Sequence, residues 1–426
     1  MNDSESFREA GELPDLKPGH DPYSVLRNRD FLLYLIGRFI ASLGQQMLTV
    51  AVGWELYERT HSALALGLVG LTQMLPMVLL TLPAGHMADN YNRKRVILLM
   101  ILVSALSSLG LTLISTLQAD VFWMYLCLLV AGGARTFLWP ASAAFMPQLV
   151  SRRNFPKAVT WNSGTFHLSS VAGPALGGML IAVTHSAASV YAINAVAVLI
   201  CFALMYFVRS RHVVVAKEEM SVKSLVAGFK FVFSTRILFG IISLDLFAVL
   251  LGGATAILPI YAKDILDVGP TGLGWLQAAL PMGSLLSAMI LAHRPPMEKA
   301  GRTLLWAVAI FGLATVAFGF STSFWFSLVT LFVCGAVDNI SVVVRHTLVQ
   351  LLTPDEKRGR VSAVNSLFIG TSNDFGGVES GFVAHLLGPV FAVVSGGIGT
   401  ILVVIATALV WPEIRKYGRL DGQDQK

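Results

Sequence analysis

Along this chain, apolar runs of about 20 residues, the length a helix needs to cross a hydrocarbon layer, are separated by short polar interruptions. The runs predict helices over 31–57, 64–84, 96–117, 121–149, 157–183, 187–208, 237–261, 271–292, 303–320, 324–350, 360–384 and 387–411. A strand barrel would instead need short segments alternating between apolar and polar residues. One stretch has a different pattern. Between Ser221 and Arg236, Val222, Leu225, Val226, Phe229, Val232 and Phe233 fall on one helical stripe, which predicts a helix lying in the membrane interface, with a plain linker as the alternative.

Composition agrees with lipid as the solvent. Hydrophobic residues make up 55% of the 426 and charged residues 13%, too few to clothe a soluble body of this size. The expected fold is an all-α membrane protein of twelve transmembrane helices. Its parts are a tail over 1–30, a six-helix half over 31–208, a linker over 209–236, a second six-helix half over 237–411 and a tail over 412–426. The opening stretch Met1–His20 is polar and acidic, without the basic and apolar regions of a signal peptide, and reads as a disordered cytoplasmic tail.

Charge distribution orients the chain. Its 31 Lys and Arg lie in the tails and on the even-numbered loops, except Arg38, Arg135 and Arg345 within spans and Arg59 and Lys263 on the opposite side. This asymmetry predicts that both tails are cytoplasmic, and it accounts for the net charge of +6 without a nucleic-acid partner. Cys127, Cys201 and Cys334 lie far apart inside apolar runs, with neither disulfide nor metal-ligand spacing. No phosphate-cradling loop and no nucleophile–base spacing points to an ATPase or another enzyme, so no cofactor and no metal is expected.

The two halves resemble each other at an offset of about 203 positions: Asn162-Ser163 with Asn365-Ser366, Ser169 with Ser372, Gly173 with Gly376, and Gly178 with Gly381. Such weak symmetry marks a duplicated transporter with its site where the halves meet.

Between helices 2 and 3, the segment Gly85–Arg95 pairs a glycine that permits a tight helix exit with an aspartate able to cap or pair and with anchoring arginines. It resembles the signature loop of the major facilitator superfamily; a purely topogenic basic cluster is the alternative. The resemblance implies a latch at Gly85, Asp89 and Arg93 that stabilises the outward-open state. The second-half counterpart, His293–Arg302, is degenerate. In helix 5, Gly173, Pro174, Gly177 and Gly178 resemble the end of the exporters' motif, although Thr160 and Ser169 replace its earlier glycines; small-residue packing is the alternative. Arg38–Ser42, Thr60–Leu68, Val222–Lys230 and Thr353–Val361 extend the resemblance to the branch containing bacterial siderophore exporters and macrolide efflux pumps. The family's helix 4 arginine is absent, its place falling at Leu128.

A charge inside a span needs a partner or a wet cavity. Arg38 and Glu55 lie in helix 1, Arg135 in helix 4, Asp245 in helix 7, and Asp338 and Arg345 in helix 10; Asp374 and Glu379 lie in helix 11. The resemblance implies that helices 1, 4, 7 and 10 line the cavity. Arg135 and Asp338 stand at the repeat offset and form one candidate pair, Arg38 and Asp245 another. Each would be either a proton-operated switch or a static structural pair. His167 and His346 read as packed polar residues. The expected activity is proton-coupled export of a small molecule, a siderophore or an amphipathic drug, by a monomer in a bacterial inner membrane. Uptake, lysolipid flipping and a non-transporting sensor or scaffold are the alternatives.

Overall fold

Polar caps divide the apolar runs into discrete helices. The computed structural model describes residues 23–209, 229–295, 297–354 and 357–418. The Asn28 side chain accepts from the backbone N–H groups of Asp30 and Phe31, Asn92 from Arg95, Asp120 from Phe122, and Ser186 from Ala188, satisfying donors that a helix start leaves open. These caps begin α1 (Arg29–Thr60), α3 (Arg93–Thr116), α4 (Val121–Leu149) and α6 (Ala187–Phe207). Between them run α2 (Ala63–Asn90) and α5 (Phe155–Thr184). The second half contains α7 (Arg236–Leu251), α8 (Gly269–Ala292), α9 (Ala300–Gly319), α10 (Phe324–Leu352), α11 (Arg358–Leu387) and α12 (Pro389–Val410), with a short α13 (Pro412–Lys416). Gly388, at φ 93°, makes the tight turn from α11 to α12 that a side chain would strain.

Sequence periodicity predicts one continuous helix over 237–261, but α7 breaks at Gly252-Gly253. It continues through a 3-10 turn, Ala254–Ile257, and a wide turn, Tyr261–Ile265. Two glycines weaken the helix there, and Pro259 lacks an N–H to continue the ladder. Among the described residues, eleven helical segments are long and apolar enough to span a membrane, counting α7 with its continuation as one. The expected eleventh span, 360–384, is α11, a continuous helix of 30 residues whose apolar pattern is interrupted by Asn365, Asn373, Asp374 and Glu379, so it is not among those eleven. It packs against α2 and α7.

Packing repeats itself. In the first half α1 packs on α5 and α6, α2 on α4, and α3 on α4 and α6; in the second, α7 packs on α11 and α12, α8 on α10, and α9 on α10 and α12. The same pairings recur six helices later, as duplication requires. Two large contacts, α2 with α11 and α5 with α8, join the halves.

The cores show where the halves are joined. At the end bearing the α1–α2 and α7–α8 connections, one cluster takes Leu56 and Tyr191 from the first half and Tyr261 and Phe318 from the second. At the end bearing the termini the core is split. Phe31, Ile97 and Phe145 cluster within the first half, whereas Ile241, Leu304 and Val344, and separately Val232, Leu238 and Val361, cluster within the second. The bundle is thus closed at one end and divided at the other. Of the helix expected over 221–236, residues 229–234 are helical with Val232 buried in a second-half cluster, Thr235 ends it and Arg236 begins α7, and 221–228 lie outside the described residues.

Candidate functional site

Two glycine seams hold the halves together. A Cβ on Gly178 of α5 would stand 3.0 Å from the Cα of Gly274 in α8, and one on Gly381 of α11 would stand 2.6 Å from the Cα of Gly67 in α2. Gly178 and Gly381 occupy the repeat offset, so the seams are counterparts. The helix 5 motif divides its work. Gly173 and Gly177 face Gln46 and Met47 of α1 within their own half, while Gly178 and the Pro174 carbonyl meet α8 across the divide. Small residues allow this backbone approach where lipid supplies no hydrophobic drive between helices.

The closed end also has a polar lock that sequence reasoning missed. Lys263 donates to Glu58 Oε2 at 2.7 Å, and the Tyr57 hydroxyl donates to the Asp264 carboxylate, both across the halves. A Cβ on Gly53 would touch Pro259 at 3.0 Å. The signal was a set of charges at two loop ends, but nothing in the sequence says that these ends face each other.

The structure re-sorts the charges expected inside the spans. Asp245 does not pair with Arg38; it is ion-paired to Arg345 of α10, and both are buried within the second half. Helices 7 and 10 meet within one half, whereas Arg38 sits half-buried on α1 in the electrostatic surroundings of Tyr34 and Cys201. Glu55 is not directed toward the other half. It pairs with Arg59 one turn on at 3.3 Å and lies against the Tyr191 hydroxyl of α6, and Arg59 also donates to the Ala119 carbonyl. That cluster belongs to the first half alone.

Arg135 and Asp338 form no ion pair in this conformation. Arg135 is exposed on α4, and its charge acts on Asp374 of α11, in the opposite half. One Asp374 carboxylate oxygen is buried without a hydrogen-bond partner among the described residues. Asp338 is half-buried on α10, beside Asn339, which donates to Ser287 of α8 at 2.9 Å. Glu379 accepts from Ser380. Among the described residues, five of the span charges, Arg38, Arg135, Asp338, Asp374 and Glu379, stand outside ion pairs, and of these Arg135 and Asp374 face each other electrostatically across the halves.

In the signature loop, Gly85 is buried and Arg93 donates to the carbonyls of Ala88 and Ala144, the latter on α4, at 3.1 and 3.2 Å. Lys94 caps the end of α6 through the carbonyls of Tyr206 and Val208. Asp89, half-buried, forms no ion pair among the described residues. The side-chain hydrogen bonds of this loop among the described residues stay within the first half.

Known proteins agree with this architecture. The profile of a family described as transmembrane secretion effectors, of the major facilitator superfamily, matches residues 20–421. The enterobactin exporters EntS of Shigella boydii and Escherichia coli are 26% identical over 388 residues, covering 91% of this chain and 93% of theirs. Among solved structures, a variant of the nucleoside transporter NupG superposes with a TM-score of 0.70 at 13% identity, over 90% of this chain and all of that one. A variant of the peptide transporter POT reaches 0.73 at 10% identity, over 91% and 95%. At such identities these two structures speak for the fold alone. The family match spans almost the whole chain and the fold follows it: the protein belongs to the transmembrane secretion effector family of the major facilitator superfamily, multi-pass membrane transporters of small molecules.

Proposed function

We propose that this chain is a proton-coupled exporter that carries a siderophore or similar amphipathic molecule out of a bacterial cell by rocking its halves, 31–208 and 237–411, with the two glycine seams closing one end. The supporting observation is that the core joining the halves lies at one end, with α2–α11 packing reaching from Gly67 and Gly381 to Met77 and Gly370, while the cores at the other end are separate and Arg135 and Asp374 stand on opposite halves between them. With the tails and the 209–236 linker in the cytoplasm, as the basic residues suggest, this conformation is inward-facing and ready to load cargo. The latch at Gly85, Asp89 and Arg93 would then be disengaged, consistent with its side-chain hydrogen bonds remaining inside one half.

Carboxylates inside spans are the groups able to carry a proton across. In this reading Asp338 and Asp374 compete for Arg135 as the halves rock, and protonation of one releases the guanidinium to the other. The kinship with enterobactin exporters suggests a siderophore such as enterobactin as first cargo. The purified monomer in proteoliposomes should concentrate such a cargo against its gradient when a pH gradient is imposed. Flux indifferent to that gradient would overturn proton coupling, and ligand binding with no flux would make the protein a sensor.

A further inference from the structure

Between α9 and α10 of the second half lies an open groove of about 410 Å³. Lys299 and Arg302, both exposed, stand at its mouth, and Trp306, Ile310, Val337 and Ile340 form its wall. The two cations lie at the start of α9, where the helix dipole is already positive, and the first turn contains no acidic residue. Among the described residues neither forms an ion pair, and adjacent Glu298 stands outside the lining. Like charges gathered at a helix start gain nothing from each other and call for an anion.

The depth profile says which anion. Trp306 is 68% exposed one turn below Arg302, and Ile310 lies about 12 Å below it along the helix axis. Charge, amphipathic ring and apolar wall thus follow each other in the order of a phospholipid's headgroup, interface and acyl chain. Free phosphate would use only the first of these.

We infer that this groove binds an anionic phospholipid, its phosphate held by Lys299 and Arg302 and an acyl chain laid along Trp306, Ile310, Val337 and Ile340. The inference rests on the membrane fold and not on proton coupling. Because Val337 and Ile340 flank Asp338 along α10, an occupied groove packs against the helix segment that presents this carboxylate.

The test is tryptophan quenching in nanodiscs containing the full-length protein, with the Trp306 signal isolated by difference from Trp306→Phe. Brominated phosphatidylglycerol should quench that signal several-fold more than brominated phosphatidylcholine at equal mole fraction. The preference should vanish in Lys299→Gln/Arg302→Gln and persist in Arg302→Lys, which keeps the charge; both positions are exposed, so folding is spared. Equal quenching by the two lipids in the wild type, or a preference that survives the double change, would overturn the inference. Loss of the preference on adding excess inorganic phosphate at constant ionic strength would also overturn it, assigning the cations to a free anion.

Discussion

Gly178 of α5 and Gly274 of α8 meet backbone to backbone across the two halves, and each would press a side chain into the other's main chain. The same contact recurs between Gly381 and Gly67. In the proposed alternating cycle these seams belong to the closed end and separate when it opens, and glycines let the backbones meet there without side chains.

Enlarging the seam should favour the other conformation. Overpacking costs about 1–3 kcal/mol, so Gly178→Val should shift the equilibrium away from the closed end by about 5- to 150-fold. Spin-label distances across the α1–α2 and α7–α8 connections should lengthen. Unchanged distances with normal flux would show that the seam yields without cost.

The polar lock contributes less. The Lys263–Glu58 pair is partly in water, with side chains 24% and 52% exposed, so it is worth about 0–1 kcal/mol. Lys263→Gln alone should change the transport rate by no more than about fivefold. Combined with Tyr57→Phe, which removes the bond to Asp264, it should open the end measurably in cysteine accessibility. A single change that abolishes transport would show that Lys263 does more than lock.

For the buried pair the effect is on stability. Arg345→Leu strands the Asp245 carboxylate and should cost about 3–5 kcal/mol, whereas Arg345→Leu with Asp245→Leu should recover most of it. The thermal unfolding midpoint in detergent provides the measurement. A double variant as unstable as the single would mean that the pair's geometry, beyond its charge, holds α7 to α10.

For coupling, Asp338→Asn mimics a permanently protonated group. Downhill exchange of cargo should survive and gradient-driven accumulation should fail, with Asp374→Asn weakening the grip on Arg135 in the inward-facing state. Accumulation by Asp338→Asn at the wild-type rate would remove Asp338 from the mechanism and leave Asp374 as the next carboxylate to test.

Orientation can be tested independently of transport. Single cysteines at Thr116 and Ser151, both exposed and at opposite ends of the bundle, should label oppositely in a cysteine-free background. A membrane-impermeant thiol reagent added to intact cells should reach position 116 and miss position 151; the reverse would invert the topology.

The sequence alone determined most of the helices, though not the break of α7 at Gly252-Gly253, because each must satisfy its own backbone inside lipid and therefore leaves a local record of apolar length and polar caps. Gly173, Gly178 and their counterparts in the second half were legible for a related reason: duplication writes the same residues twice. Which charge meets which was not legible. Arg38 and Asp245 share a depth along the membrane normal, but depth does not say which way a side chain faces, and only the meeting of α7 and α10 within the second half gave Asp245 to Arg345. Glu55 likewise turned to Arg59 and Tyr191 because helix rotation about its own axis is set by neighbours hundreds of residues away in the chain or close by in it alike. The lock of Tyr57 and Glu58 with Asp264 and Lys263 needed the same information, and so did the partner of Arg135, since an ion pair between helices is a property of the contact and not of either segment.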